Sequence, residues 1–227
     1  MTLTQLRTMT RILSPGLKPN VITDAEIDIV INMAVDDIAA KTCCLKTNKK
    51  FNIVSSQAQY SLSSVIGDYL TMDKPGLWWY DGASWKQLNP ETLKSLDNKK
   101  YNWRDDSSGS PEDYSIDGDI LTIVPPPDTS GTDYLWLYYG KIPAQMMADA
   151  HYPFSGSTTE FTHLRIFDRA ILKYVKSMLS PALNKLNEEN LTWAEYLQEI
   201  DEKQKLFNRR ADIVAGYDSR LTGPSVR

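Results

Sequence analysis

The sequence contains few of the residues that most often form disulfides or bind metals. Among its 227 residues there are two cysteines and two histidines. Cys43 and Cys44 are adjacent in the chain, and a disulfide between neighbouring residues is strained, so we interpret both as free thiols made in a reducing compartment. This excludes a small scaffold that depends on disulfides.

Long apolar runs and a dominant charge are also missing. No stretch approaches the roughly twenty apolar residues of a membrane-spanning helix, and residues 1–11 lack the apolar centre of a secretory signal. With 25 basic and 29 acidic residues the formal net charge is -4. This balance argues against a protein held to nucleic acid by a dominant basic surface, although local basic patches stay open.

No signature of catalysis or cofactor binding occurs in the sequence. There is no glycine-rich phosphate loop and no Gly-x-Ser-x-Gly elbow. Glu160 and His163 have the spacing of two metal ligands on a helix, but no second such pair completes the site. Asp117 and Asp119 lie in a segment that lacks the remaining ligands of a calcium loop. We therefore predict no catalytic residue, no metal and no cofactor, and a protein that is not an enzyme.

Two amphipathic helices are predicted between residues 157 and 214. A Ser/Thr-x-x-Glu capping box begins each of them, at Ser157 with Glu160 and at Thr192 with Glu195. The first has the apolar stripe Phe161, Leu164, Phe167, Ile171, Val175 and Met178, and Pro181 ends it. The second repeats Trp193, Ile200, Phe207 and Val214 every seven residues, with Leu197, Gln204 and Ala211 between them. The charged residues Glu195, Glu199, Glu202, Lys203, Lys205, Arg209 and Arg210 are assigned to its other face. The repeat fits core packing within one subunit, packing against a neighbour, or a short coiled coil.

The N-terminal part of the chain is also predicted to be helical. Residues 2–13 have the spacing of a short amphipathic helix, which Pro15 and Gly16 stop. Thr23 and Glu26 form another capping box. The helix that follows carries apolar residues at Ile27, Val30, Ile31, Ala34 and Ile38.

After Cys44 the pattern changes to short β-prone runs separated by turn residues. Strands are predicted at 51–54, 58–62, 69–72 and 134–139. Two Asp-Gly turns, at Asp81-Gly82 and Asp117-Gly118, indicate hairpins that join 77–80 with 84–88 and 114–116 with 119–124. The polar segment 97–111 between them is predicted to be an exposed loop.

This order of elements predicts an α+β fold. The expected architecture is a helical bundle formed by the N- and C-terminal helices, with an inserted antiparallel β-rich module. The domain boundaries are 1–45 for the N-terminal helices, 46–141 for the β module and 142–215 for the C-terminal helices. Residues 216–227 have no periodicity and are predicted to be an extended C-terminal arm.

An aromatic cluster is the segment most open to a functional interpretation. Trp78, Trp79, Tyr80 and Trp85 surround the first Asp-Gly turn. Exposed rings in a hairpin can stack on sugars or bases. The alternative is cross-strand packing, in which alternate rings face the core and the others stabilise the hairpin.

The insert and its flanks resemble the head-to-tail adaptor (connector) proteins of short-tailed bacteriophages. In that family an early amphipathic helix is followed by a Gly-Gln-x-x-Tyr-x-Leu-Pro-like stretch, which Ser56, Gln57, Tyr60, Leu62 and Ser63 match loosely. Ser56 and Ser63 replace the usual Gly and Pro. Further residues that resemble the family pattern are Gly109, Pro111, Tyr114, Gly118, Leu121, Ile123, Pro125, Pro127, Leu135, Leu137 and Tyr139. The match covers most of the chain in order, but its motifs are structural and degenerate.

The resemblance implies a structural virion protein at the head-tail junction, made in the cytoplasm of a bacterial host. Its expected partners are copies of itself in a ring of twelve, the portal protein, and tail nozzle or tail tube proteins. Double-stranded DNA would pass through the channel without specific binding, and no membrane is involved. The candidate portal-contact residues in the arm are Tyr217, Asp218, Arg220, Leu221 and Arg227.

A hypothesis from another class competes with this one. The chain could be a carbohydrate- or receptor-binding module that uses exposed tryptophans, with Trp78, Trp79 and Trp85 as the contact residues. It predicts saturable sugar binding by an isolated monomer, whereas the connector hypothesis predicts a ring.

Overall fold

A computed structural model describes residues 1–99, 103–105, 107–181 and 186–221, without the side chains of 74, 75, 105, 186–189 and 208–221. The chain divides into two compact units. One, called the helical unit here, contains Met1–Cys44 and Pro143–Arg227; the other, the β unit, contains Leu45–Ile142. Helices and mainly antiparallel sheets are both present, so the predicted α+β class is confirmed.

The described part of the helical unit contains four long helices. They are α1 (Leu3–Leu13), α2 (Asp24–Thr42), α5 (Asp168–Leu179) and α6 (Leu186–Leu221), and a 3-10 helix, Thr162–Phe167, leads into α5. Helices from both ends of the chain meet here, because α5 contacts α1, α2 and α6. The buried side chains between them include Leu3, Leu6, Ile27, Ile31, Ile38, Leu164, Phe167, Ile171, Val175, Tyr196 and Ile200.

Local signals start two of these helices. The Thr23 side chain accepts a hydrogen bond from the Glu26 amide, and the Glu26 carboxylate accepts one from the Thr23 amide, so the predicted capping box is confirmed. Thr2 and Gln5 form an equivalent box at α1. Each box satisfies amide groups that have no partner within the first turn.

The two capping boxes predicted in the C-terminal part are wrong. Thr192 is buried inside α6, which begins at Leu186. Ser157 precedes an irregular segment and does not start a helix. Phe161 occupies the N-cap position of the 3-10 helix but makes no side-chain capping hydrogen bond. The predicted helix is present only from Asp168, as α5, after the 3-10 helix. Of its predicted stripe, Leu164, Phe167, Ile171 and Val175 are buried, whereas Phe161 is half-buried and Met178 is exposed.

The outer face of α6 also differs from the prediction. Leu197, assigned to the apolar stripe, is 42% exposed, while Glu199, assigned to the charged face, is buried. Ile200 of the predicted stripe is buried, and Thr192, Tyr196 and Glu199, which were not assigned to it, are buried as well. The backbone stays helical to Leu221, so residues 216–221 are not extended.

The described residues of the β unit form eight strands in two four-stranded sheets, with the short helices α3 (Leu62–Val65) and α4 (Leu93–Lys99) between strands. The strands are β1 (Lys46–Ile53), β2 (Gln59–Ser61), β3 (Tyr69–Tyr80), β4 (Trp85–Gln87), β5 (Asn89–Pro90), β6 (Asp113–Asp117), β7 (Ile120–Val124) and β8 (Gly131–Lys141). The sheet orders are β1-β8-β3-β4 and β2-β7-β6-β5. All pairs are antiparallel except the two-residue pair of β5 with β6, which departs from the purely antiparallel module expected.

One hydrophobic core joins the two sheets of the β unit. Its side chains come from alternate positions of the strands in both sheets, as a half-buried sheet requires. They include Phe51, Ile53, Leu77, Trp79, Leu135, Leu137 and Tyr139 from the first sheet and Tyr60, Tyr114, Leu121 and Ile123 from the second. The core therefore lies between the sheets and leaves an outer face on each.

Both predicted Asp-Gly hairpins are confirmed. Trp79 and Tyr80 of β3 pair with Lys86 and Trp85 of β4, and the Asp81 carboxylate accepts hydrogen bonds from the amides of the next turn residues. Gly82 has a φ angle of 93°, which glycine adopts without strain.

Two predictions about the β segment need correction. The strands predicted at 69–72 and 77–80 are one strand, β3, with an irregular register between Met72 and Leu77. The segment 97–111 is not simply a loop. It overlaps the end of helix α4 (Leu93–Lys99) and a 3-10 helix whose Trp103 packs with Leu96 and Val124 in a small second core.

Candidate functional site

The outer face of the sheet β1-β8-β3-β4 carries a row of aromatic rings. In β8 the inward residues Leu135, Leu137 and Tyr139 are buried, so Tyr134, Trp136 and Tyr138 lie on the outer face and are half-buried. Tyr80 of β3 and Trp85 of β4 join them there. We call these five residues the aromatic row.

The rings of the aromatic row touch one another in sequence. Ring centroids lie 5.2 Å apart for Tyr134 and Tyr80, and 5.3 Å apart for Tyr80 and Trp85. The next distances are 5.5 Å from Trp85 to Trp136 and 5.0 Å from Trp136 to Tyr138. The planes of neighbouring rings are inclined by 34° to 86°. The row is therefore a continuous packed surface rather than a set of isolated rings.

Lys50 of β1 lies against two of these rings. Its Nζ atom is 5.0 Å from the centroid of Trp85 and 4.9 Å from that of Trp136, within the range of a cation–π contact. The register explains the position, because Lys50 pairs with Trp136 across β1 and β8. Asn48 accepts a hydrogen bond of 3.0 Å from the Trp136 indole and fixes that ring.

The structure separates the four aromatic residues that the sequence grouped. Trp79 is only 3% exposed and belongs to the core between the sheets, so it cannot be a contact residue. Trp78, Tyr80 and Trp85 lie on the outer side and are half-buried. The Nε1 atoms of Trp78 and Trp79 are buried without a hydrogen-bond partner.

Sequence reasoning missed Lys50, Tyr134, Trp136 and Tyr138. The alternation of aromatic and aliphatic residues in β8 was a usable signal, because side chains alternate between the two faces of a strand. What the sequence does not reveal is that β8 lies between β1 and β3 and so connects the rings into one row.

The helical unit has an exposed apolar surface on α2. Ile29 is 60% exposed and Met33 is 43% exposed, and they lie one turn apart on the same side of the helix. The Asn32 side chain bonds both main-chain groups of Met146, at 2.9 and 3.2 Å, and so holds segment 145–147 against α2. The following residue, Met147, is 87% exposed. We call Ile29, Met33 and Met147 the α2 surface.

A buried carboxylate surrounded by cations lies between α5 and α6. The side chain of Glu199 is 6% exposed and ion-pairs with Lys173 at 3.0 Å, Lys203 at 3.1 Å and Arg169 at 3.5 Å. Burial raises the pKa of Glu199, but hydrogen bonds from the two lysines outweigh it, and the net pKa is below the usual value. This arrangement stabilises the contact of the two helices.

A second polar contact joins α2 and α6. The fully buried Tyr196 donates a hydrogen bond to the Asp37 carboxylate, which also pairs with Lys41. Burial and the neighbouring Asp37 raise the pKa of the Tyr196 hydroxyl. The Lys41 ammonium lies 5.7 Å from the Trp193 ring. These groups satisfy one another, as structural polar contacts do.

The other sequence-predicted candidates do not gather into a site. His163 is exposed, Glu160 pairs with Arg165 at 3.2 Å, and His151 accepts a hydrogen bond from the Met147 amide. Within the part of the chain that is described, no group of three His, Cys, Asp or Glu side chains could hold a metal ion.

One cleft in the β unit has a volume of about 420 Å³. Its lining includes Trp103 and Arg104, and the Arg104 guanidinium is already paired with Asp97 at 2.5 Å. The remaining lining residues are Gln57, Ala58, Gln59, Thr122, Ile123 and Pro126. The cleft offers amide and hydroxyl groups but no assembled acid–base or nucleophilic pair.

The predicted portal-contact arm is described only in part. Tyr217, Asp218, Arg220 and Leu221 lie in the last turns of α6, but their side chains are outside the described residues. Arg227 and the rest of 222–227 are outside them as well.

No protein-family model matches the chain, and no curated protein matches it. No helix among the described residues is long and apolar enough to cross a membrane.

Proposed function

We propose that this protein is a structural component of a bacteriophage virion that forms a ring between the portal and the tail. The observation that carries the proposal is the α2 surface, which leaves three large apolar side chains in water. Clusters of exposed apolar residues mark protein interfaces, whereas single ones are ordinary.

The composition of α2 supports an interface on this helix. Ile27, Ile31 and Ile38 face the core, while Ile29 and Met33 point away from it. A helix with apolar residues on several sides is usually buried on several sides. A neighbouring subunit would bury the side that the chain itself leaves exposed.

A second apolar region lies at the end of α1 and in the following loop. Ile12, Leu13 and Val21 are each about half exposed or more. A closed ring with head-to-tail contacts needs two different surfaces on each subunit. The α2 surface and this region are the two candidates, and a bundle of the N- and C-terminal helices would form the body of the ring.

The conformation of Ser56 supports the resemblance to the adaptor family. Ser56 matches a position where that family usually has glycine, and its φ angle here is 64°. This left-handed conformation favours glycine over other residues. The left-handed backbone at Ser56 therefore supports the match of this position to a glycine.

The same proposal gives a role to the β unit and to residues 216–227. The β unit would meet tail nozzle or tail tube proteins, and residues 216–227 would contact the portal through Tyr217, Asp218, Arg220, Leu221 and Arg227. The net charge of -4 would let double-stranded DNA pass without specific binding. The protein would then be found at the head-tail junction of the virion.

Electron microscopy of the protein, alone and mixed with portal, tests the proposal. We expect a ring of twelve copies in at least one sample. Replacing Ile29 and Met33 by Asp should leave folded monomers, because each carboxylate would be buried in the contact. Val54→Asp, at an exposed apolar residue of the β unit, is the matched control and should keep the ring. Monomers in both wild-type samples would contradict the proposed function.

Deletion of 216–227 tests the portal contact separately. Attachment to portal-containing capsids should be lost while far-UV circular dichroism stays close to that of the full chain. Unchanged attachment would remove the arm from the proposal but leave the ring.

A further inference from the structure

The aromatic row occupies a surface that is normally polar. When one face of an antiparallel sheet packs on the core and the other faces water, the outer face is usually polar. Here Tyr80, Trp85, Tyr134, Trp136 and Tyr138 cover it, and all five are half-buried. The rings have aromatic neighbours on the surface, yet each keeps part of its area in contact with water. A continuous half-exposed surface of this kind is typical of binding sites.

The inclination of the rings limits which ligands can lie on them. Trp85 is tilted by 42° from Tyr80 and by 66° from Trp136, and Tyr80 is nearly perpendicular to Tyr134, at 86°. A single flat ligand that spans several rings would need them to be coplanar. Separate, differently inclined faces suit a ligand made of small saturated rings, each lying on one aromatic face.

Lys50 adds a positive charge to this surface. None of the described carboxylates lies within ion-pair distance of its ammonium group, whereas Lys46 on the same strand is paired with Asp73 at 2.9 Å. The two indoles engage the Nζ atom from their faces, and an ammonium has three donors. The surface can therefore accept an anionic group next to Trp85 and Trp136.

We propose that the aromatic row and Lys50 form a binding site for an acidic saccharide. The apolar C–H faces of the sugar rings would pack on the exposed parts of the aromatic row, and a sugar carboxylate would accept a hydrogen bond from the Lys50 ammonium beside Trp85 and Trp136. One unpaired cation fits a ligand with isolated carboxylates. A nucleic acid, with a phosphate on every residue, requires several cations along its path. This site is on the β unit and its occupation does not depend on ring formation.

Isothermal titration of the full chain with uronic-acid tetrasaccharides tests the proposal. The probes are tetragalacturonate and tetramannuronate, each compared with its methyl ester, which has a similar shape without the charge. We expect saturable binding of at least one acid and binding about fivefold weaker for its ester, a ratio that corresponds to one exposed charge-assisted contact.

Variants of two neighbouring lysines separate the site from general charge effects. Lys50→Met keeps the aliphatic stem and should weaken binding of the acid about fivefold without changing binding of the ester. Lys49→Met is the matched control, because Lys49 is adjacent, exposed and directed to the other side of β1. Its affinity should stay within about twofold of wild type. Trp85→Leu should weaken binding of both acid and ester about tenfold, with folding checked by circular dichroism.

Three results would overturn the proposal. The first is the absence of saturable binding by either acid at millimolar concentration. The second is equal loss of affinity in the Lys49 and Lys50 variants. The third is tighter binding of a ten-residue oligothymidylate than of either acid, which would assign the surface to single-stranded nucleic acid instead.

Discussion

The two units of this protein differ in which side chains they bury and which they expose. The helical unit buries a charge, Glu199, and exposes aliphatic side chains, Ile29, Met33 and Met147. The β unit exposes aromatic side chains, but these contact one another along the whole aromatic row. Ile29, Met33 and Met147 are thus open to water, whereas the rings of the β unit cover one another in part.

This difference indicates separate roles for the two units. An exposed apolar surface gives contact area, which suits a repeated subunit contact. Rings combined with a positioned ammonium give direction and charge, which suits recognition of a ligand. The comparison can be tested by changing each unit in turn.

The largest effect is expected from the core of the β unit. Trp79→Ala removes a ring that is 3% exposed and should lower the free energy of unfolding by about 3–4 kcal/mol. Trp85→Ala, at a half-buried ring of the aromatic row, should lower it by about 1 kcal/mol. Urea denaturation followed by circular dichroism measures both. Equal losses would mean that the row belongs to the stabilising core.

The next effect concerns the buried charge of the helical unit. Glu199→Gln leaves Lys173 and Lys203 without their shared carboxylate and should lower the free energy of unfolding at pH 7 by about 2 kcal/mol. Glu202→Gln, one turn further on the exposed side, should change it by less than about 0.5 kcal/mol.

The pH dependence of this difference has a defined sign. The pKa of Glu199 is lowered in the folded protein, so its contribution is present above the unfolded value of 4.5. It is lost as the pH falls through the lower, folded-state pKa. The stability gap between wild type and Glu199→Gln should therefore shrink steadily below pH 4.5, and a gap that widens in acid would contradict the ion-pair assignment.

A smaller effect is expected at the first hairpin of the β unit. Gly82 has φ 93° and open space around it, so Gly82→Ala is opposed only by backbone strain of about 1 kcal/mol. Gly109 is the control, because its φ is not in the left-handed region and a Cβ there would meet Pro125 at an ordinary 3.5 Å. Thermal denaturation should show a lower midpoint for Gly82→Ala and almost no change for Gly109→Ala.

The smallest effect is chemical and concerns the two thiols of the helical unit. Burial raises the pKa of Cys44 to about 11, while Cys43 is partly exposed. At pH 8 iodoacetamide should modify the Cys44→Ser variant, which retains Cys43, and leave Cys43→Ser unmodified until it is unfolded. Mass spectrometry of the intact variants gives the answer. Rapid labelling of Cys44 would show that this end of the helical unit opens easily.

Local chemistry accounts for the parts of the fold that were predicted correctly. The Thr23–Glu26 box and the two Asp-Gly turns depend on contacts within four residues, so the sequence alone contains them. The same kind of signal was wrong at Thr192 and Glu195. A capping box can occur inside a helix when the preceding residues are themselves helical, and four residues carry no information about that.

Burial was predicted poorly where it depends on distant partners. Glu199 is charged and was placed on the solvent side, but Lys173 of α5 makes its burial possible. Trp79 and Trp85 are the same residue type in one hairpin. Trp79 lies on the inner face, which the second sheet covers, whereas Trp85 lies on the outer face. The aromatic row requires the order β1-β8-β3-β4, which no local pattern specifies.

The sequence by itself determined the start of α2 and the two Asp-Gly turns, because capping and glycine conformation act over a few residues. Only the tertiary structure decided which face of each element is covered, since that depends on strand order and helix contacts between distant segments. The two surfaces on which both proposals depend, Ile29 with Met33 and Met147, and Lys50 with its aromatic row, are of this second kind.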